Sequence, residues 1–197
     1  MQQSMDDVNS LQLIESMINK AKNRFSESGT LYILWGIVVL ICSLVQFAGT
    51  VWFNYPQVQY VWAVTWLMLI YQVFYLRKNK KRKTVKTYTD EIIGYVWICF
   101  VIALWLMGFI LFMNDARGLV TATILVIYGI PTFLSGIILH FRPLVIGGIC
   151  CWLLSVLTVI IPGAYHILLI SLAMLAAWII PGILLRNKFI NENKHAK

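Results

Sequence analysis

Residues 28 to 76 read SGTLYILWGIVVLICSLVQFAGTVWFNYPQVQYVWAVTWLMLIYQVFYL, without one Asp, Glu, Lys, Arg or His. A bilayer core about 30 Å thick is crossed by about 20 apolar residues at 1.5 Å rise per residue, so this single stretch is long enough for two transmembrane helices joined near Pro56. Further uncharged runs follow at 92 to 114, 118 to 141 and 143 to 185, marked only by His140 and His166, and the last is again long enough for two spans. Composition agrees: 60% of the 197 residues are hydrophobic and 12% charged, against roughly 45–50% and 25% in a soluble domain.

The expected fold is therefore all-α: a polytopic membrane protein with a six-helix transmembrane bundle and an N-terminal amphipathic interfacial helix. Spans are placed at 31 to 50, 57 to 76, 92 to 113, 118 to 140, 144 to 161 and 165 to 185, within one domain at 30 to 186. Residues 1 to 29 form the cytoplasmic amphipathic segment and 187 to 197 a basic tail. The first apolar run begins near residue 30 and exceeds a signal-peptide core of about 7–15 residues, so no cleavable leader is expected.

Directly after the opening stretch comes RKNKKRKTVK, residues 77 to 86, with Arg77, Lys78, Lys80, Lys81, Arg82, Lys83 and Lys86. With six spans, the N-terminus, the 77 to 91 loop, the 140 to 143 turn and the C-terminus share one side. That side then holds every Lys and Arg except Arg117. Short loops rich in Lys and Arg stay in the cytoplasm, so both termini are expected inside, in the plasma (bacterial inner) membrane. The run reads first as a topology anchor. A second reading adds recognition of anionic lipid headgroups, since each basic residue near an anionic leaflet contributes about 1 kcal/mol. Nucleic acid is not an expected partner, because no accompanying fold or aromatic platform is present. Trp52, Phe53, Tyr55 and Tyr60 around Pro56, and Tyr75, Tyr88 and Tyr95 around the basic loop, occupy belt positions at the two interfaces.

Residues 8 to 27 place Leu11, Ile14, Ile18, Ala21 and Phe25 on one helical stripe, with Asn9 and Gln12 as an N-cap pair and Gly29 as a stop. The stripe either rests on the membrane or docks a cytoplasmic protein partner.

Ionisable residues within spans are the first place to look for intramembrane chemistry, and none lies well inside any span here. That argues against a carboxylate-based proton or sodium relay. His140 and His166 end up on opposite sides, too far apart to share a haem or zinc, and His195 sits in the charged tail. Cys42, Cys99, Cys150 and Cys151 lack C-x-x-C spacing and read as packing residues, with acylation or redox sensing as the alternative. Asp90 and Glu91 after Thr89 suit a helix N-terminus. No H-E-x-x-H is present, and Phe133-Leu134-Ser135-Gly136 lacks the first glycine of a G-x-S-x-G elbow. No cofactor, metal or catalytic residue is expected, and nothing supports an enzyme.

Spans four and six carry Pro131, in Gly129-Ile130-Pro131, and Pro181, in Ile180-Pro181-Gly182. A proline removes one backbone donor and clashes a turn back, so both spans are expected to kink and free a carbonyl. Tyr128, Thr132, Ser135 and Thr158 are the hydroxyls at hand to satisfy it. Gly129, Pro131, Thr132, Ser135 and Pro181 thus outline either a structural kink or a broken-helix cavity for a solute. Thr132 with Gly136, and Ala173 with Ala177, have small-xxx-small spacing that suits close helix packing or a homo-oligomer.

Leu34-Trp35-Gly36, GIPTFLSG at 129 to 136 and FRPLVIGGICCW at 141 to 152 resemble a group of small, functionally uncharacterised multi-span membrane proteins of bacteria. The resemblance implies the bundle fold and brings no site, substrate or reaction. The expected function is that of a non-enzymatic, membrane-anchored regulator or accessory subunit working through its cytoplasmic face. The alternative is a small transporter or channel for a neutral or lipid-like solute that uses the proline-bearing spans.

Overall fold

The structure is a computed structural model that describes residues 29–55, 57–80 and 88–195, and every regular element among them is helical. Helix α1 spans Gly29–Val51. A 3-10 turn at Val58–Trp62 leads into α2 (Ala63–Lys80), followed by α3 (Tyr88–Met113), α4 (Val120–Ile138) and α5 (Arg142–Leu157). The last rod is composite: α6 (His166–Met174), a π turn at Leu175–Ile179, and α7 (Ile180–His195). Five stretches are long and apolar enough to cross a membrane: Gly29–Val51, Val58–Arg77, Glu91–Met113, Val120–Ile138 and Gly163–Lys188.

Helix α5 is apolar but has only 16 residues, a length of about 24 Å. It stops at Leu157, short of the expected 161, because the chain turns there: Thr158 N–H and Oγ1 both donate to Ser155 O, and Pro162 lies just beyond. Helix α7 runs on to His195, so the expected tail is helical as far as it is described. The expected amphipathic helix at 8 to 27 lies outside the described residues, as do Lys81, Arg82, Lys83 and Lys86.

Contacts fix how the rods pair. Helices α1 and α2 run antiparallel, with Trp35 Nε1 donating to Gln72 Oε1 near one end and Trp62 Nε1 donating to Gln46 Oε1 near the other. Each bond pairs an indole N–H with an amide oxygen, polar atoms that would be costly to leave unpaired in lipid. Helix α1 also runs antiparallel to the composite rod, from Gly29 against Gly182 to a 2.7 Å hydroxyl pair between Ser43 and Ser171. Helices α4 and α5 form the most closely packed hairpin. A Cβ on Gly136 would fall 2.6 Å from Val145 N, and one on Gly148 would fall 2.7 Å from Phe133 Cβ. Across the other face of α5, a Cβ on Gly147 would fall 2.6 Å from Ala177 Cα in the π turn. The absence of side chains at these glycines is what lets the backbones approach.

Burial is uneven as a result. Half of the composite rod's apolar stretch and 44% of that of α4 are buried, against 28% for α1 and 6% each for α2 and α3. Helices α4, α5 and the composite rod form the centre, α1 closes one side, and α2 and α3 lie outside. The pairings bring Arg77, Arg142 and Arg186 to one end of the molecule, here called the basic end, and the turn after α3 to the other.

Candidate functional site

The π turn lies directly before Pro181. Proline offers no N–H to a carbonyl one turn back, and just before it Ile180 N–H reaches five residues back to Leu175 O instead of four. Such a one-turn widening shifts the phase of the side chains around it. Trp178, inside the turn, is directed into the bundle and is 3% exposed. The rod that carries Pro181 thus has a π turn just before it, whereas α4 stays helical through Pro131.

Trp178 is the hub of a closed circuit of rings. Its indole makes edge contacts with Tyr128 at 5.2 Å, Trp97 at 5.7 Å and Tyr32 at 6.4 Å between centroids. Tyr32 meets Trp97 at 5.7 Å, Trp97 meets Phe100 at 5.3 Å, and Phe100 meets Tyr128 at 5.3 Å, which completes the loop. Edge-to-face aromatic pairs add about 0.5–1.5 kcal/mol beyond the area they bury. Four rods, α1, α3, α4 and the composite one, thus meet through five side chains.

A polar thread runs through the cluster. Trp178 Nε1 donates to Thr132 Oγ1 at 3.0 Å, and Thr132 Oγ1 donates to Tyr128 O at 2.8 Å. A turn further along α4, Ser135 is fully buried, and its hydroxyl and the Trp97 side chain both adjoin the buried Tyr32 hydroxyl.

Thr132 and Ser135 face the cluster, Gly129 faces the Trp152 indole on α5, and Pro131 and Pro181 are fully buried on separate rods. Of the hydroxyls named for the proline-freed carbonyls, Thr132 and Thr158 donate within their own turns instead, to Tyr128 O and Ser155 O. Two donors on α5, an indole and a hydroxyl, reach carbonyls of α4: Trp152 Nε1 donates to Val126 O at 3.2 Å and Ser155 Oγ to Ala122 O at 2.9 Å. Where the proline-bearing rods meet, indole and phenol rings occupy the space. Two shallow surface grooves lie elsewhere: one of about 430 Å³ beside His140 and Arg142, and one of about 460 Å³ beside Gly49 and Val58.

Arg77 is exposed at the end of α2, and the backbones of Lys78 and Lys80 continue that helix. Thr89, Asp90 and Glu91 fall in the first turn of α3, where negative charge is favoured. Cys42 and Cys151 are buried, Cys150 is half-buried and Cys99 exposed, all as free thiols. Among the described residues no three His, Cys, Asp or Glu side chains gather as a metal site would require. His166 Nε2 lies 2.8 Å from Ile161 O, at the end opposite His140.

The aromatic circuit and the Trp–Gln pairs go beyond what the sequence reading singled out. The available signal was position: Trp97, Trp178, Gln46 and Gln72 lie within apolar spans rather than at belt positions, and a mid-span polar atom needs a partner. No protein-family model, no curated protein and no solved structure matches this chain.

Proposed function

We propose that the chain is a six-span, non-enzymatic protein of a bacterial inner membrane, threaded with both termini in the cytoplasm, and that it serves as a membrane-anchored regulator or accessory subunit through its basic end. Helix α5 supplies the sixth span, and the segment before Gly29 supplies an interfacial helix on the same side. The observation that carries this reading is the filled centre. Trp178, bonded to Thr132 and ringed by Tyr128, Trp97 and Tyr32, sits where a solute path between the proline-bearing rods would run. A packed centre leaves the faces and the ends as the working surface. Helices α2 and α3, barely buried within the chain, give it a broad lateral face, and Arg77, Arg142 and Arg186 give it a cationic end suited to anionic headgroups or an acidic protein surface.

The test is purification from native membranes in mild detergent, followed by mass spectrometry of retained proteins, lipids and small molecules in one sample. A stoichiometric protein partner that is lost on deletion of residues 1 to 26, with the remaining chain still inserted, is the expected outcome. A retained small molecule with no partner protein would instead favour the carrier reading.

A further inference from the structure

Where α4 turns into α5, at the basic end, the chain leaves an open groove of about 430 Å³ lined by Gly136, Ile137, His140, Phe141, Arg142 and Val145. Small-molecule sites span about 300–1,000 Å³. The two halves of this groove differ in chemistry. His140 and Arg142 form a polar rim in the turn itself, and both are exposed. Gly136 lies four residues earlier on α4, about 6 Å deeper, where Ile137 and Val145 make the lining aliphatic.

The turn is unusual for the residue at its pivot. Phe141 N–H donates to Gly136 O and His140 N–H to Ile137 O, the helix ending whose left-handed position is usually glycine. Here His140 takes that position, with φ 50°. A β-carbon is disfavoured in this conformation, so local folding alone would select glycine. What histidine adds is an imidazole N–H donor at the rim. Arg142, two residues on, adds the fork of donors that matches a phosphate group, and it has no ion-pair partner among the described residues. The N-terminus of α5 begins at the same rim without a capping side chain and contributes positive charge there.

We infer that this groove holds one anionic phospholipid, with its phosphodiester at Arg142 and His140 and an acyl chain against Ile137 and Val145. The cationic rim selects an anion. The aliphatic half, one turn deeper, selects a lipid over a free phosphate. The inference deepens the reading of the basic end and rests on that end lying at a headgroup interface, but it requires no protein partner.

The experiment is native mass spectrometry of the full-length protein in detergent, titrated with dioleoyl-phosphatidylglycerol and, separately, with dioleoyl-phosphatidylcholine. One phosphatidylglycerol should be retained in preference to phosphatidylcholine. Arg142→Gln, an exposed change that leaves folding intact, should weaken that binding about tenfold. His140→Gly should weaken it too while raising the melting temperature, a separation that a purely structural turn would not give. Arg77→Gln and Arg186→Gln, at the same end but outside the groove, should change it little. Equal losses in all three arginine variants would overturn the inference, because they would mark diffuse attraction to a charged end. Phosphatidylcholine bound as well as phosphatidylglycerol, inorganic phosphate bound as tightly as the lipid, or a second copy of the chain retained in its place would overturn it equally. A protein partner recovered from native membranes, with lipid binding indifferent to Arg142→Gln, would sink the lipid site and leave the regulator reading standing. The reverse pattern would do the opposite.

Discussion

Thr132 has two tasks at once, accepting from the Trp178 indole and donating to Tyr128 O. Thr132→Val keeps the volume but deletes both bonds and leaves an indole N–H unpaired in a dry site. Membrane hydrogen bonds average about 0.6 kcal/mol with larger cases near 1.7, and the orphaned donor places this one towards the upper end. The variant should lose about 1–2 kcal/mol, a fall of about 2–8 °C in melting temperature for a chain of this size. Thr132→Ser should recover most of it, as a thermal melt in detergent will show. The sequence marked Thr132 as a hydroxyl near a proline, which is what residue type and spacing can reveal. It did not mark Trp178 as its partner, because the two are 46 positions apart and meet only through the phase shift of the π turn.

At the scale of elements, two glycines let backbones approach closely: Gly136, which has small-xxx-small spacing with Thr132, and Gly147. Gly147→Ala sets a methyl against the rigid backbone at Ala177, and Gly136→Ala sets one against Val145 N. Each should cost about 1–3 kcal/mol by overpacking. Gly108→Ala is the control: a Cβ there meets nothing within 4 Å, so it should be neutral or gain about 0.5–1 kcal/mol through helix propensity. Chemical unfolding of the three variants in one detergent separates the cases. The long apolar runs made the helices themselves legible, because a membrane-crossing stretch needs only length and the absence of charge. The π turn was not legible beyond the presence of Pro181. A proline can be absorbed by a kink, a break or a widened turn, and the choice here goes with α5 coming in at Gly147. Likewise the sequence could count α2 and α3 as helices, but apolarity could not tell that both lie outside the others, since α3 is the most apolar of the five stretches and α2 the least.

For the whole molecule, the antiparallel pairing of rods places Arg77, Arg142 and Arg186 towards one end. The same pairing leaves one face of a short central helix uncovered. Along α5, Ile146, Ile149, Leu153 and Val156 point outwards, a stripe on a rod of 16 residues beside neighbours of 19 and 26. Lipid chains that lie against this stripe meet an apolar wall about 6 Å shorter than an average hydrocarbon core. The bilayer must thin there or the protein must tilt, at a cost of fractions of a kcal/mol per Å. Stability should therefore depend on acyl-chain length, with a higher melting temperature in nanodiscs of 14-carbon lipids than of 20-carbon ones, and a weaker dependence once α5 is lengthened by one apolar turn. In a membrane of mixed composition, such a protein would gather short-chain lipids along one flank and settle where the bilayer is already thin.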